Sequence, residues 1–426
     1  MLTDPQVAGS PRVERDPLFT SSPFEPTRPP VTSLDEIDLT DPDLLQHGDP
    51  HAAWQILREQ APVFWHAKGA HGTRGNGFWA VTTYAECNEV HRNTSVYSNG
   101  ETEFMDLRPE DIPLQLSSMD PPEHAKYRGV LRKHFTAKAI ANQTDHLRAI
   151  ISAVLDEAEK VGEFNFHDQI SQRVPLMATA ALLQIPPETT HTLAMQLSSL
   201  DYGGQDPLKA YTKAVMDFFD DFTRDWKPGE HDSIVGAIVD AEIDGRPIDR
   251  ADALAYLWVL FTGALDTTAH AATIGLLSLF HHPDQLELIR KDPSLAGSAI
   301  NESLRWSSTS NVVKHVALQD TELGGMSIKA GDYIATYPPS ANRDELVFAN
   351  AFEFDINRQT STPIFTFGGG PHLCLGHLFA RLELTVLFEE LFRRFPDIAQ
   401  TGTAVRGEAF TMTLSPLNEL PVRLKG

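Results

Sequence analysis

The residues best suited to chemistry lie at Phe367-Gly368-Gly369-Gly370-Pro371-His372-Leu373-Cys374-Leu375-Gly376, directly before a helical pattern over His377–Phe395. Three consecutive glycines and a proline force an irregular backbone, and Gly376 leaves no side chain beside the sulfur. Cys374 therefore sits in a loop feeding a helix N-terminus, where backbone N–H groups and the helix dipole favour a thiolate. Small neighbours would let a large flat ligand approach the sulfur. A glycine-rich turn holding an inert cysteine is the plain alternative. A phosphate loop is another, but the Gly-Lys-Ser/Thr ending it needs is missing.

Three more stretches carry reactive side chains. Gly263-Ala264-Leu265-Asp266-Thr267-Thr268 places an acid and hydroxyls inside a long apolar helical pattern, where they are costly unless partnered or used. A threonine bonding back to the preceding turn is the ordinary reading. Glu302 and Arg305, three apart, can pair on one helix face. In Asp120-Pro121-Pro122-Glu123-His124-Ala125-Lys126-Tyr127-Arg128 two prolines open a helix on which His124 and Arg128 share a face. Two such donors can grip carboxylates. Lys126, Arg132 and Lys133 fit either a solvated face or a basic patch for an acidic partner.

The elements that must position these groups are mostly helices. Periodicity predicts helices over Pro50–Gln60, Asp217–Trp226, Ser233–Ile243, Asp249–His282 and Pro283–Lys291. Strands are expected at Val63–His66, Gly77–Val81, Val312–Ala317 and Tyr333–Tyr337, with a turn at Gly324–Gly325 and a closing hairpin of Phe410–Leu414 with Pro421–Leu424. Asn93–Gln115 reads as a long, functional loop. Seven prolines in residues 1–33 suggest a flexible arm, and residues 34–426 a single helix-rich, mainly α (α+β) domain. The chain has 426 residues and a formal charge of −23, which argues against nucleic acid or an anionic membrane as main partner. Two cysteines, Cys87 and Cys374, exclude a disulfide framework and a multi-thiolate zinc site. With no secretory signal or membrane-length apolar run, a cytoplasmic protein is expected.

The loop around Cys374 resembles the heme-binding signature of the cytochrome P450 family, Phe-Gly-x-Gly-x-His/Arg-x-Cys-x-Gly. The resemblance implies a P450 fold and Cys374 as the axial thiolate of a heme b iron, which favours O–O cleavage. Phe367, Gly368, His372 and Gly376 fall in the same signature. The Gly263–Thr268 stretch is similar to the family's oxygen-activation motif, implying Asp266 and Thr267 as the acid–alcohol pair, with Ala264 where the family often has glycine. Glu302, Arg305 and Arg358 match a structural triad that locks the cysteine loop. His124 and Arg128 match heme-propionate contacts. At the position of a further propionate-binding arginine stands His315, whose charge depends on pH, and Lys314 beside it is a candidate substitute.

By the same resemblance, the chain is expected to be a bacterial-type monooxygenase that inserts one atom of O2 into a hydrophobic small molecule. A sensor, or a P450-fold enzyme for oxidative coupling, ring closure or peroxide-driven oxidation, is the alternative; Asp266 and Thr267 favour dioxygen. The heme domain takes up the chain, so NAD(P)H electrons are expected from a separate ferredoxin and its reductase, with the protein a monomer. Phe104, Met105, Leu107, Leu260, Val312, Val313, Phe410 and Met412 are expected to line the substrate pocket, together with Leu200–Gln205.

Overall fold

The computed structural model describes residues 26–113, 115–198, 206–406 and 417–425. Among the described residues, nine helices frame the site: α1 (Pro50–Gln60), α2 (Tyr84–Arg92), α3 (Glu123–Leu131), α4 (Thr144–Ala158), α5 (Arg173–Leu182), α6 (Pro207–Thr223), α7 (Arg250–His281), α8 (Ala296–Trp306) and α9 (His377–Arg394). Helix α7 is 32 residues long, roughly 48 Å at 1.5 Å per residue. Its second half is buried nearly all round, since Ala269–Leu279 offers apolar or small residues on every face. There it packs with α8, α9 and α4 around Leu276, Ile300, Leu387 and Phe388. The first half rests on α6 through Phe261 and Phe219, whose ring centroids are 5.8 Å apart. Caps set the helix starts: Asp49 Oδ1 accepts from His51 N–H (3.1 Å) ahead of Pro50, and Asp206 Oδ1 from Leu208 N–H (3.0 Å) ahead of Pro207.

The strands are β1 (Val63–His66), β2 (Phe78–Val81), β3 (Tyr97–Ser98), β4 (Glu163–Asn165), β5 (Val313–Ala317), β6 (Tyr333–Thr336), β7 (Ala399–Gln400), β8 (Val405–Arg406), β9 (Leu417–Glu419) and β10 (Pro421–Arg423). One sheet runs β1-β2-β6-β5-β3, with Ile334 of β6 beside Trp79 on one side and His315 on the other. A second has the order β7-β10-β4, and β8 pairs with β9.

Most predicted elements are present within a few residues, although the helix expected over Asp217–Trp226 begins at Pro207, where Asp206 caps it, and the helix expected over Ser233–Ile243 ends at Val239, with Glu242–Ile243 pairing as a strand with Arg246–Pro247. Pro421–Arg423 forms β10, which has β7 and β4 on its two edges. Residues 410–414 themselves lie outside the described residues. The arm is corrected in its described part. Thr27 and Arg28 donate backbone N–H groups to His47 O (2.9 and 3.2 Å), and Arg28 pairs with Asp41 at 2.7 Å. Residues 1–25 lie outside the described residues.

Candidate active site

Behind the cysteine loop a buried ionic clamp ties α8 to the chain ahead of that loop. Arg305, 1% exposed, donates to both oxygens of Glu302 (2.8 and 2.7 Å) and to the carbonyls of Asn342, Ala351 and Glu353 at 2.9–3.0 Å. Arg358 Nε reaches both Glu302 oxygens at 3.1 Å, and Asp355 N–H donates to Oε1 at 2.9 Å. The contact network continues forward. Asn342 Oδ1 accepts from Phe365 N–H (2.7 Å), its Nδ2 donates to Thr366 Oγ1 (2.9 Å), and Thr366 Oγ1 donates to Leu304 O (2.5 Å). Groups as far apart in the chain as Glu302 and Arg358 thus join one satisfied network that ends at the start of the cysteine loop.

The loop itself turns at Gly368 (φ +70°) and Gly370 (φ +60°). A Cβ on Gly370 would meet His91 O at 2.1 Å, so α2 abuts the loop backbone directly. Cys374 N–H donates to Phe367 O (2.9 Å), and Leu373 O accepts from Arg128 Nη2 (2.5 Å). Arg381 of α9 lies over the Phe367 ring, 4.4 Å from its centroid. Gly376 opens α9. Cys374 is exposed and lines a cavity. Burial pushes the thiol up, against the opposing pull of the Gly376 and His377 N–H groups and of Arg128 and Arg381. The N–H groups at the helix N-terminus thus favour the thiolate, and desolvation opposes them.

That cavity, about 350 Å³, lies between the loop and α7. Gly263, Ala264, Thr267, Thr268 and Ala271 line it because they share one face at helical spacing. Thr267 Oγ1 donates to Gly263 O (2.7 Å), bending back on its own helix as hydroxyls do. Asp266 is turned off that face and is not among the lining residues, while burial raises its pKa. A Cβ built on Gly263 or on Gly376 would meet nothing within 4 Å, so both walls stand clear of other atoms.

Histidines gather at the rim. His124 of α3 and His372 of the loop have ring centroids 4.1 Å apart, and His91 meets His315 edge-on at 4.9 Å. His124 Nε2, His372 Nε2 and both ring nitrogens of His315 are buried with no hydrogen-bond partner among the described residues. Burial first, then neighbouring cationic or imidazole groups, pull all three rings down: His372 to about 3, His315 well below 6.5. His315 is therefore neutral near pH 7. Lys314 is no substitute for an arginine here. Neighbouring side chains on β5 point to opposite faces, and its ammonium donates to Gly72 O (2.9 Å) and Leu107 O (3.3 Å).

Of the expected pocket residues, Leu260 and Val313 line the cavity. Phe104, Met105, Leu107 and Val312 do not: Met105 and Val312 are core residues packed with Trp54 and Phe78. Phe410, Met412 and residues 200–205 lie outside the described residues. Phe367, Gly368, Ala264, His124, Arg128, His372, Cys374 and Gly376 all line it. His91 and Glu383 line it too and were not anticipated; Glu103, which also lines it, lies in the loop expected to be functional. Glu383 stands nine residues after Cys374 on α9, and burial pushes its carboxyl up to about 8. A carboxylate in an apolar helix face was the available signal for it; His91 had none among 17 histidines.

The Cytochrome P450 family profile matches residues 205–416. Cytochrome P450 126 of Mycobacterium tuberculosis is 35% identical over 390 residues, covering 86% of this chain and 93% of that one. A steroid C26-monooxygenase of Rhodococcus jostii is 30% identical over 386 residues, 86% of this chain and 80% of its own. Among solved structures, Mycobacterium marinum cytochrome P450 CYP268A2 in complex with pseudoionone superposes with a TM-score of 0.82 at 26% identity, over 92% of this chain and 99% of that one.

Proposed function

Because the chain belongs to the cytochrome P450 family and is a P450 monooxygenase, we propose that Cys374 is the axial ligand of a heme seated between α7 and the 367–376 loop, and that the enzyme oxidises an apolar small molecule with O2. The observation that carries this is the pair of buried imidazole nitrogens of His124 and His372, unpartnered among the described residues, at one cavity with an accessible sulfur; His315, likewise unpartnered, stands behind the cavity-lining His91. Buried polar groups are normally satisfied, and orphans clustered at one rim call for an acceptor-rich ligand. Two carboxylates of a porphyrin are such acceptors, and Arg128 adds a charged donor to them. The clear walls at Gly263 and Gly376 suit a flat ring system. The thiol, unfavourable as an anion in the buried loop, is suited to binding a metal cation, which would offset the desolvation of a thiolate.

When bound, heme supplies the iron that activates dioxygen; the protein supplies ligand, position and protons. Arg128, His124, His315 and His372 would hold the carboxylates. Asp266, whose pKa burial raises, would pass protons inward, and Thr267 would hold one at its Oγ1, which otherwise donates to Gly263 O. Electrons would come from a separate ferredoxin and reductase. Arg132 and Lys133 are candidates to meet it, whereas Lys126 is paired with Asp244 at 2.5 Å. The apolar wall of Leu116, Val259 and Leu260, with the steroid chemistry of the Rhodococcus relative, supports a substrate of steroid or terpenoid size. Among the described residues no helix is long and apolar enough to cross a membrane.

The test is the absorption spectrum of the dithionite-reduced protein under carbon monoxide, beside Cys374→Ala. A strongly red-shifted Soret band, lost in the variant, is expected. A band at the position of histidine ligation, or no heme at all, overturns the assignment of Cys374.

A further inference from the structure

We propose that the cavity selects an apolar molecule bearing a hydroxyl group, and that Glu103 is the residue that reads that hydroxyl; the inference rests on the heme-thiolate reading above. Glu103 lies in the long segment between β3 and α3 and lines the cavity, as does Ser117, which bonds its carboxyl. The segment is fixed from two sides. Glu103 O accepts from Lys314 N–H of β5 (2.8 Å), and the Lys314 ammonium bonds the carbonyls of Gly72 and Leu107 beneath it. The carboxyl is fixed in turn: Oε1 accepts from Ser117 Oγ at 2.8 Å. Oε2 has only a 3.5 Å approach from Thr102 Oγ1, which is too long to satisfy it. A positioned carboxyl, held by Ser117 Oγ and by its own backbone N–H, thus belongs to a residue of the same cavity lining as the apolar Val259 and Leu260.

The neighbours decide the ligand class. Asn99, Ser117, Thr309 and Ser310 line the same region, and all are neutral groups that can both donate and accept. A ligand hydroxyl can donate to Glu103 Oε2 and accept from one of these. A site built to bond a hydroxyl discriminates strongly against the analogue that lacks it, because its own buried group is then left unpaired.

The experiment uses the heme-loaded protein and three alcohol–ketone pairs of matched shape: testosterone and androstenedione, β-ionol and β-ionone, dodecan-2-ol and dodecan-2-one. Dissociation constants are read from the Soret shift for wild type, Glu103→Gln and Glu103→Leu. In at least one scaffold the wild type is expected to bind the alcohol about tenfold tighter than the ketone. Glu103→Leu brings that ratio close to one, and Glu103→Gln, which keeps the shape and an acceptor, falls between. A ratio near one in all three pairs, a ratio that survives in Glu103→Leu, or no binding of any of the six overturns the proposal. These outcomes leave the carbon monoxide band intact, so they are distinct from a failure of the heme assignment.

Discussion

The clamp behind the cysteine loop and the rim in front of it are both buried and both polar, yet they treat their polar atoms in opposite ways. In the clamp, Glu302, Arg305 and Arg358 exchange hydrogen bonds with one another and with the surrounding carbonyls. At the rim, His124, His315 and His372 keep buried nitrogens with no partner among the described residues. The first arrangement lets three charges be buried without leaving one uncompensated. The second is unfavourable in isolation and becomes favourable when something with acceptors arrives. Saturated polar groups therefore mark what holds the loop, and unsaturated ones mark what the loop is for.

The comparison breaks most visibly at Glu302. Glu302→Ala leaves two guanidiniums facing each other, and a loss of about 3–5 kcal/mol in chemical denaturation is expected. A loss below about 1 kcal/mol would mean that the clamp is not holding the loop. Acid comes next. Burial holds His91, His167 and His270 down to about 4, from 6.5. Their folded pKa values are depressed, so the unfolded chain takes up protons first. The stability they contribute is present above about pH 6.5 and is lost as pH falls toward 4. A urea midpoint that stays flat across that window would contradict the burial of these rings. Asn342→Ala is next in size, since it strands the Phe365 N–H and is expected to cost about 1–3 kcal/mol. The smallest effect on stability belongs to the rim. His315→Leu keeps most of the buried volume and removes no hydrogen bond, so before heme loading its unfolding free energy should move by no more than about 1 kcal/mol. Heme retained through gel filtration should nonetheless fall severalfold. A stability loss as large as that of Glu302→Ala would erase the distinction between the two regions.

Much of this was legible in the sequence because short-range chemistry is written locally. The glycine run before Cys374 signalled a close-packed loop, and it is indeed one into which α2 presses at Gly370. The long apolar stretch around Thr267 signalled a through-going helix, and α7 spans it to within a residue at each end. Long-range choices were not legible. That Met105 turns into the core while Glu103, two residues earlier, faces the cavity depends on where β5 and Ser117 meet the segment. Whether Lys314 or His315 reaches the rim depends on the phase of one strand, which no local pattern fixes. His91 enters only because helix α2 ends against the cysteine loop.

The sheet β7-β10-β4 bears on the order of assembly. Its middle strand joins residues from distant parts of the chain: Leu420 N–H reaches Asn165 Oδ1 across 255 positions. Closing so large a loop costs entropy before any contact repays it, so this sheet is placed late in folding. Helices α7 to α9 and the cysteine loop lie within the intervening chain. They can collapse on one another while β4 still waits for β10, which leaves an interval in which the cavity is bounded but the outer sheet is not yet sewn shut.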